Sequence, residues 1–235
     1  MIPLPNRVER WGLKLCLYLH RWAYEKANIF AVRYYGGVHP KHFLTGIHDF
    51  FLKHSQTTDT VLDIGCGFGM IAADVAGKAK SVVAFDIDPA KIAEAKRLRS
   101  RPNLTYYVGE ATKDLPKDDV FDVAISSGVL EHLHNPEEHL RAVARSARRL
   151  LLRVPNLKRS WTVLLCRELG MPYTCDPDHQ CEYTVDTART ELERNGWVVK
   201  EIDTSEGEIW MVAQSLQLTS PVESETSTAL AATRL

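Results

Sequence analysis

The segment Val61-Leu62-Asp63-Ile64-Gly65-Cys66-Gly67-Phe68-Gly69-Met70 constrains this chain more than any other. An apolar strand runs straight into three alternating glycines and then into a helix. A turn between a parallel strand and its following helix needs positive φ and exposed amides, and glycine supplies both without a Cβ penalty. Bare backbone is thereby brought against a nucleotide-bearing ligand. The spacing is not that of the dinucleotide fingerprint G-x-G-x-x-G, because Gly69 comes one residue early and position 70 is Met. Nor does the Gly-Lys-Ser/Thr of a phosphate loop follow. Asp63 at the strand end would repel a pyrophosphate and suits a ligand carrying an amine.

Strands are expected at Thr60–Ile64, Ser81–Phe85, Leu104–Val108, Phe121–Ser126, Arg149–Val154, Trp197–Asp203 and Ile209–Ser215. Helices fall at Met70–Gly77, Pro89–Leu98, Pro136–Ala147 and Asp186–Asn195, with Pro89 in a first turn and Gly196 after a last one. This alternation makes a mostly parallel sheet covered on both faces, closed by a terminal antiparallel hairpin. Asn156–Tyr183 breaks the rhythm and reads as an insertion over the carboxyl edge of the sheet, with a short helix at Trp161–Leu169. Upstream, Trp11, Leu15, Leu19 and Trp22 lie on one side of a helix whose aromatic face is expected to pack on the main domain or form a lid. A second aromatic-rich helix is expected to carry Phe43, Ile47, Phe50 and Phe51. The domains are then a helical lead-in over 1–52, a ligand-binding domain over 53–215 with an insertion at 156–183, and a disordered tail over 216–235.

A chain of 235 residues can bury a core that needs no disulfides. Its net charge of −1, with 25% charged residues, gives no bulk reason to expect a nucleic acid partner. Arg145, Arg148, Arg149 and Arg153 read as a solvated face without an aromatic platform. Five cysteines, an odd number, fit a reduced compartment. Neither an export signal nor a run of about 18 apolar residues is present, so a cytoplasmic protein without a transmembrane segment is expected. Cys175, Asp176, His179 and Cys181 offer soft ligands, but without a second C-x-x-C pair no metal is expected.

Further loops at the same sheet edge add chemistry. Asp86 follows the second strand a little over twenty residues after the glycine turn, where a carboxylate can accept two hydrogen bonds from a ribose diol. Asp88, before Pro89, reads as a helix cap, and Ile87 between them can cover one face of a base. Gly109-Glu110-Ala111 follows the third strand, and Phe121-Asp122 leads through Ser126-Ser127-Gly128 to Leu130-Glu131-His132-Leu133. Together with the glycine turn, these stretches strongly resemble the class I (Rossmann-like) S-adenosylmethionine-dependent methyltransferases, of the small-molecule domain type, from about Pro40 to Gln214. The resemblance implies a three-layer α/β sandwich with a seven-stranded sheet of order 3-2-1-4-5-7-6 and strand 7 antiparallel. It implies S-adenosyl-L-methionine as cofactor and S-adenosyl-L-homocysteine as product. Asp63, Gly65, Cys66 and Gly67 would surround the methionine part, Asp86 would hold the ribose hydroxyls and Ile87 would pack on the adenine. Glu110 and Ala111 would meet the adenine edge, Ser127 would line the cleft, and Lys41, His42 or Tyr35 would meet the cofactor carboxylate.

Methyl transfer from a sulfonium is an in-line displacement for which the protein mainly aligns and desolvates. A hydroxyl acceptor also needs a base, and His132 or His134 past the fourth strand, or His179 in the insertion, can supply an imidazole. His132 and His179 are therefore the catalytic candidates. The expected function is methyl transfer to a small-molecule acceptor, foremost an oxygen, by a monomer or homodimer with no nucleic acid partner. The alternatives are an RNA or protein methyltransferase, or a cofactor-binding accessory protein without turnover.

Overall fold

The computed structural model describes residues 7–114 and 119–218, so all but the start of the expected tail lies outside the described residues. In chain order the elements are α1 (Arg7–Tyr34), α2 (Lys41–Leu44), α3 (Ile47–His54), β1 (Thr60–Ile64), α4 (Met70–Ala76), β2 (Ser81–Asp86) and α5 (Pro89–Leu98). Next come β3 (Leu104–Val108), α6 (Ala111–Asp114), β4 (Phe121–Ser127), a 3-10 turn (Leu130–His132), α7 (Pro136–Ser146) and β5 (Ala147–Pro155). Then follow α8 (Trp161–Glu168), α9 (Val185–Arg194), β6 (Trp197–Asp203) and β7 (Glu208–Ser215). These residues divide into two units, one holding the chain up to His48 with Ser160–Tyr173, the other holding Asp49–Arg159 with the residues from Thr174 onward.

The second unit contains a seven-stranded sheet of order β3-β2-β1-β4-β5-β7-β6, as expected. β1 pairs parallel with both β2 and β4, whereas β7 runs antiparallel to β5 and β6. The central strands are nearly continuous runs of apolar residues because helices flank the sheet: α4 and α5 pack on β2 and β3, α7 on β5 and α9 on β6. Chain order reverses between β1 and β4, and the crevice at their carboxyl ends is where open α/β sheets bind ligands. Helix starts are fixed locally. The Asp88 carboxylate accepts from the amides of Ala90 and Lys91, Asn135 caps α7 ahead of Pro136, and Thr184 with Thr187 forms a capping box on α9. Trp197 is buried in the core with Leu140, Leu150 and Met211, its indole N–H donating to the Leu140 carbonyl at 3.1 Å. Truncating such a ring costs about 3–5 kcal/mol.

In the first unit, α1 is longer than its apolar stripe indicates, and Leu17 is its buried residue. One expectation is corrected. The second aromatic-rich helix is two pieces, α2 and α3, interrupted at Thr45-Gly46. There the Thr45 hydroxyl donates to the Lys41 carbonyl at 2.7 Å and Gly46 turns to a φ of +64°.

Candidate active site: a glycine cradle and a histidine edge

The turn after β1 is locked by its neighbours. The Cys66 amide donates to the Phe85 carbonyl at 2.9 Å, the Gly69 amide to the Cys66 carbonyl at 2.9 Å, and the Gly67 amide to the Asp86 carboxylate at 2.8 Å. Each of the three glycines has positive φ, for different spatial reasons. A Cβ on Gly65 would come within 2.5 Å of Val129 Cγ2, and one on Gly69 would enter the Tyr106 ring. A Cβ on Gly67, by contrast, meets no atom within 4 Å, so the backbone there faces open space.

Asp86 is buried, and its second oxygen accepts the Asp88 amide at 2.9 Å. Each carboxylate oxygen carries two lone pairs, so both retain an acceptor site beyond the amides they hold. Asp63 is wholly enclosed, and one of its oxygens is buried without a hydrogen-bond partner. Burial, helped by the charge of Asp86, pushes its carboxyl up to about 8. An orphaned buried carboxylate beside an open glycine backbone fits a ligand with a cationic amine, and the donor set fits S-adenosylmethionine. Burial likewise pushes the Cys66 thiol up, so it stays protonated.

Ile87, 75% exposed, projects beyond β2 as an uncovered apolar surface. The Glu110 amide donates to Asp114 at 2.7 Å while its carboxylate takes Lys113 and Thr112, so this side chain is committed to α6; Ala111 is buried. Ser127 ends β4, paired in register with Arg153. Lys41 belongs to the unit of α1 and α2, its amide donating to His39 Nδ1 at 3.2 Å. The arginines do not form one face. Arg149 pairs with Asp59 at 2.7 Å and the buried Arg153 pairs with Glu208 at 2.5 Å, so both belong to the packing of β5. Asp122 receives the Thr60 amide and hydroxyl at 2.9 Å, tying β4 to β1.

His132, from the 3-10 turn after β4, and His179, from the 176–180 loop, meet edge to face with ring centroids 4.6 Å apart. Backbone bonds hold them together, because the Gln180 amide donates to the Glu131 carbonyl at 2.8 Å. Partial burial of its ring, with His179 alongside, lowers the pKa of the otherwise exposed His132 against the opposing pull of Asp176 and of the Asp178 carbonyl. Two acidic residues adjoin this edge, of which Glu182 escapes the reading of the sequence. Glu131 is 2% exposed with an unpartnered oxygen, and Glu182 accepts from His179 Nδ1 at 3.0 Å, Arg159 at 2.6 Å and the Cys175 amide at 2.7 Å. His134 is exposed. Tyr106 was also not legible as a site residue; its ring underlies the glycine turn, with its hydroxyl 3.4 Å from the Gly69 carbonyl.

The methyltransferase-domain family matches residues 39–202, and the chain belongs to it. Its sheet order is that of the class I, Rossmann-like methyltransferase fold. A TehB-like S-adenosylmethionine-dependent methyltransferase from Corynebacterium glutamicum has the same fold, with a TM-score of 0.56 and 17% identity over 84% of this chain and 98% of that one. So does the N-methyltransferase NodS from Bradyrhizobium japonicum, solved with S-adenosyl-L-homocysteine, with a TM-score of 0.53 and 16% identity over 71% and 82%. Among curated proteins, the tRNA U34 carboxymethyltransferase of Shewanella pealeana is 35% identical over 85 residues, 34% of this chain and 26% of that protein. The ubiquinone biosynthesis O-methyltransferase of Rickettsia typhi is 32% identical over 81 residues, 34% of this chain and 33% of that protein. The chain thus spans about a third or less of these relatives. No helix among the described residues is long and apolar enough to cross a membrane.

These relatives correct one expectation. Near-neutral bulk charge is not a ground for dismissing a nucleic acid partner, since tRNA U34 carboxymethyltransferases from several Shewanella species are 35–36% identical to 85 residues of this chain. Net charge sums over the whole surface, whereas phosphate contact depends on local charge. α1 alone carries Arg7, Arg10, Lys14, Arg21, Lys26 and Arg33 against Glu9 and Glu25.

Proposed function

We propose that this protein transfers a methyl group from S-adenosylmethionine to RNA of the tRNA type. The observation that carries the reading is the run of tRNA U34 carboxymethyltransferases among its relatives. A property of α1 supports it: the basic excess shares one helix with the exposed rings of Trp11, Tyr18, Trp22 and Phe30, the combination that unpaired nucleotides use for backbone contact and stacking.

In this reading the cofactor supplies a methyl group already activated on a positive sulfur. Asp63 compensates the ammonium of its methionine portion, and Asp86 accepts from the ribose diol while fixing the Gly67 amide. Ile87 covers the adenine, Ala111 and the Glu110 backbone border its edge, and Ser127 lines the cleft. His132, just past β4, and His179, in the 176–180 loop, promote the loss of the acceptor's proton.

The test is incubation of the full chain with methyl-labelled S-adenosylmethionine and bulk tRNA, followed by acid precipitation and nuclease digestion. Label that precipitates and is released by nuclease is expected. The ubiquinone-pathway relative favours a second reading, transfer to a phenolic oxygen of a small molecule. Label entering a catechol or hydroquinone while tRNA stays unlabelled would select it and overturn the first.

A further inference from the structure

We propose that Glu131, His132 and His179 form a binding site for one divalent transition-metal ion of the zinc or cobalt type at the carboxyl edge of β4. One ligand atom from each lies within 4.8 Å of the other two, the one such grouping of three among the described residues. Two imidazoles and one carboxylate are a common facial set for such ions, which leaves further positions open to water or substrate.

Two observations beyond proximity point to an ion. Glu131 is buried, yet one of its oxygens has no hydrogen-bond partner, which costs free energy unless a cation or donor meets it. The second is the setting of His179, whose Nδ1 lies 3.0 Å from one Glu182 oxygen while Arg159 pairs with the other at 2.6 Å. With Nδ1 engaged by that carboxylate, Nε2 is the ring nitrogen left to present a lone pair. A carboxylate behind a ligating histidine is the usual way proteins orient and strengthen that ligand.

The ligand set replaces the one weighed from the sequence. Cys175, Asp176 and Cys181 are outside the group, and His179 joins Glu131 and His132 instead. The loop is pinned for this purpose: the His179 amide donates to the Asp176 carbonyl at 3.2 Å, and the amides of Gln180 and Cys181 both reach the Glu131 carbonyl.

This inference rests on the proposed function only in its consequence. An acceptor hydroxyl bound to the ion would release its proton to bulk water. Its oxygen lone pair would then form the bond to the methyl carbon as the carbon–sulfur bond breaks and its electron pair returns to sulfur. The two histidines would act through the ion and not as free bases.

The test uses the untagged full chain, stripped with chelator and titrated with Co²⁺ in the absence of cofactor, followed by absorption spectroscopy and competition with Zn²⁺. One equivalent with visible ligand-field bands is expected, displaced by Zn²⁺. His132→Ala, at an exposed position that should not perturb folding, and His179→Ala should abolish the bands. Glu182→Gln should weaken affinity about 10- to 100-fold. Absence of a stoichiometric site, or binding that persists unchanged in both histidine variants, overturns the proposal. S-adenosylhomocysteine affinity measured on the same samples reports separately on the methyltransferase reading.

Discussion

The Asp86 carboxylate accepts the Gly67 amide at 2.8 Å, so the residue proposed to hold a ribose also sets the shape of the glycine turn. Asp86→Ala should therefore weaken S-adenosylhomocysteine binding at least tenfold, about 1.4 kcal/mol, by calorimetry. Asp86→Asn keeps one carbonyl acceptor and should lose less. Equal affinity in wild type and Asp86→Ala would remove Asp86 from the ribose site.

Asp63 links binding to pH. Its carboxyl is raised from 3.8 to about 8 in the folded protein, so the folded state holds a proton that the unfolded state has released. Stability contributed by that proton is present below about pH 4 and declines as pH rises toward 8. Asp63→Asn should flatten this decline and leave the cofactor-free protein more stable at pH 7, by an amount on the order of a few kcal/mol. Denaturant unfolding from pH 5 to 8 reads the difference, and parallel curves for the two proteins would contradict the assignment.

Burial lowers the His139 imidazole on α7 to about 4. The unfolded chain takes up a proton near 6.5 that the folded one refuses, so this residue's contribution is lost as pH falls from 6.5 toward 4. His139→Gln should reduce the acid sensitivity by about 2–3 kcal/mol relative to wild type. Unchanged acid unfolding midpoints would argue that the site is hydrated.

Two glycines of one turn should respond differently. Gly65→Ala strains a φ of +69° and collides with Val129, costing about 1–3 kcal/mol, part of which Val129→Ala should restore. Gly67→Ala meets open space and pays only for its φ, about 1–2 kcal/mol, yet places a methyl group where the cofactor is proposed to lie. Its melting temperature should fall by only a few degrees while S-adenosylhomocysteine affinity falls at least tenfold. Undiminished affinity would move the cofactor off Gly67.

The sheet was legible in the sequence because its signals are local and repetitive: apolar runs such as Thr60–Ile64, the Asp88-Pro89 cap and the glycine turn each specify their own backbone. The cradle was legible for the same reason, since its residues sit at strand ends at fixed offsets. Glu131 beside His179 was not, because the two are brought together only when the 176–180 loop folds back on the end of β4. Tyr106 under Gly69 is likewise a contact between distant strands.

The most direct measurement is a calorimetric titration of the full chain with S-adenosylhomocysteine at pH 7 in buffers of different ionisation enthalpy. One molecule should bind per chain, with about half to one proton released as Asp63 ionises against the ligand ammonium. Failure to bind, or binding whose heat does not depend on the buffer, would contradict the cradle described for Asp63, Gly67 and Asp86.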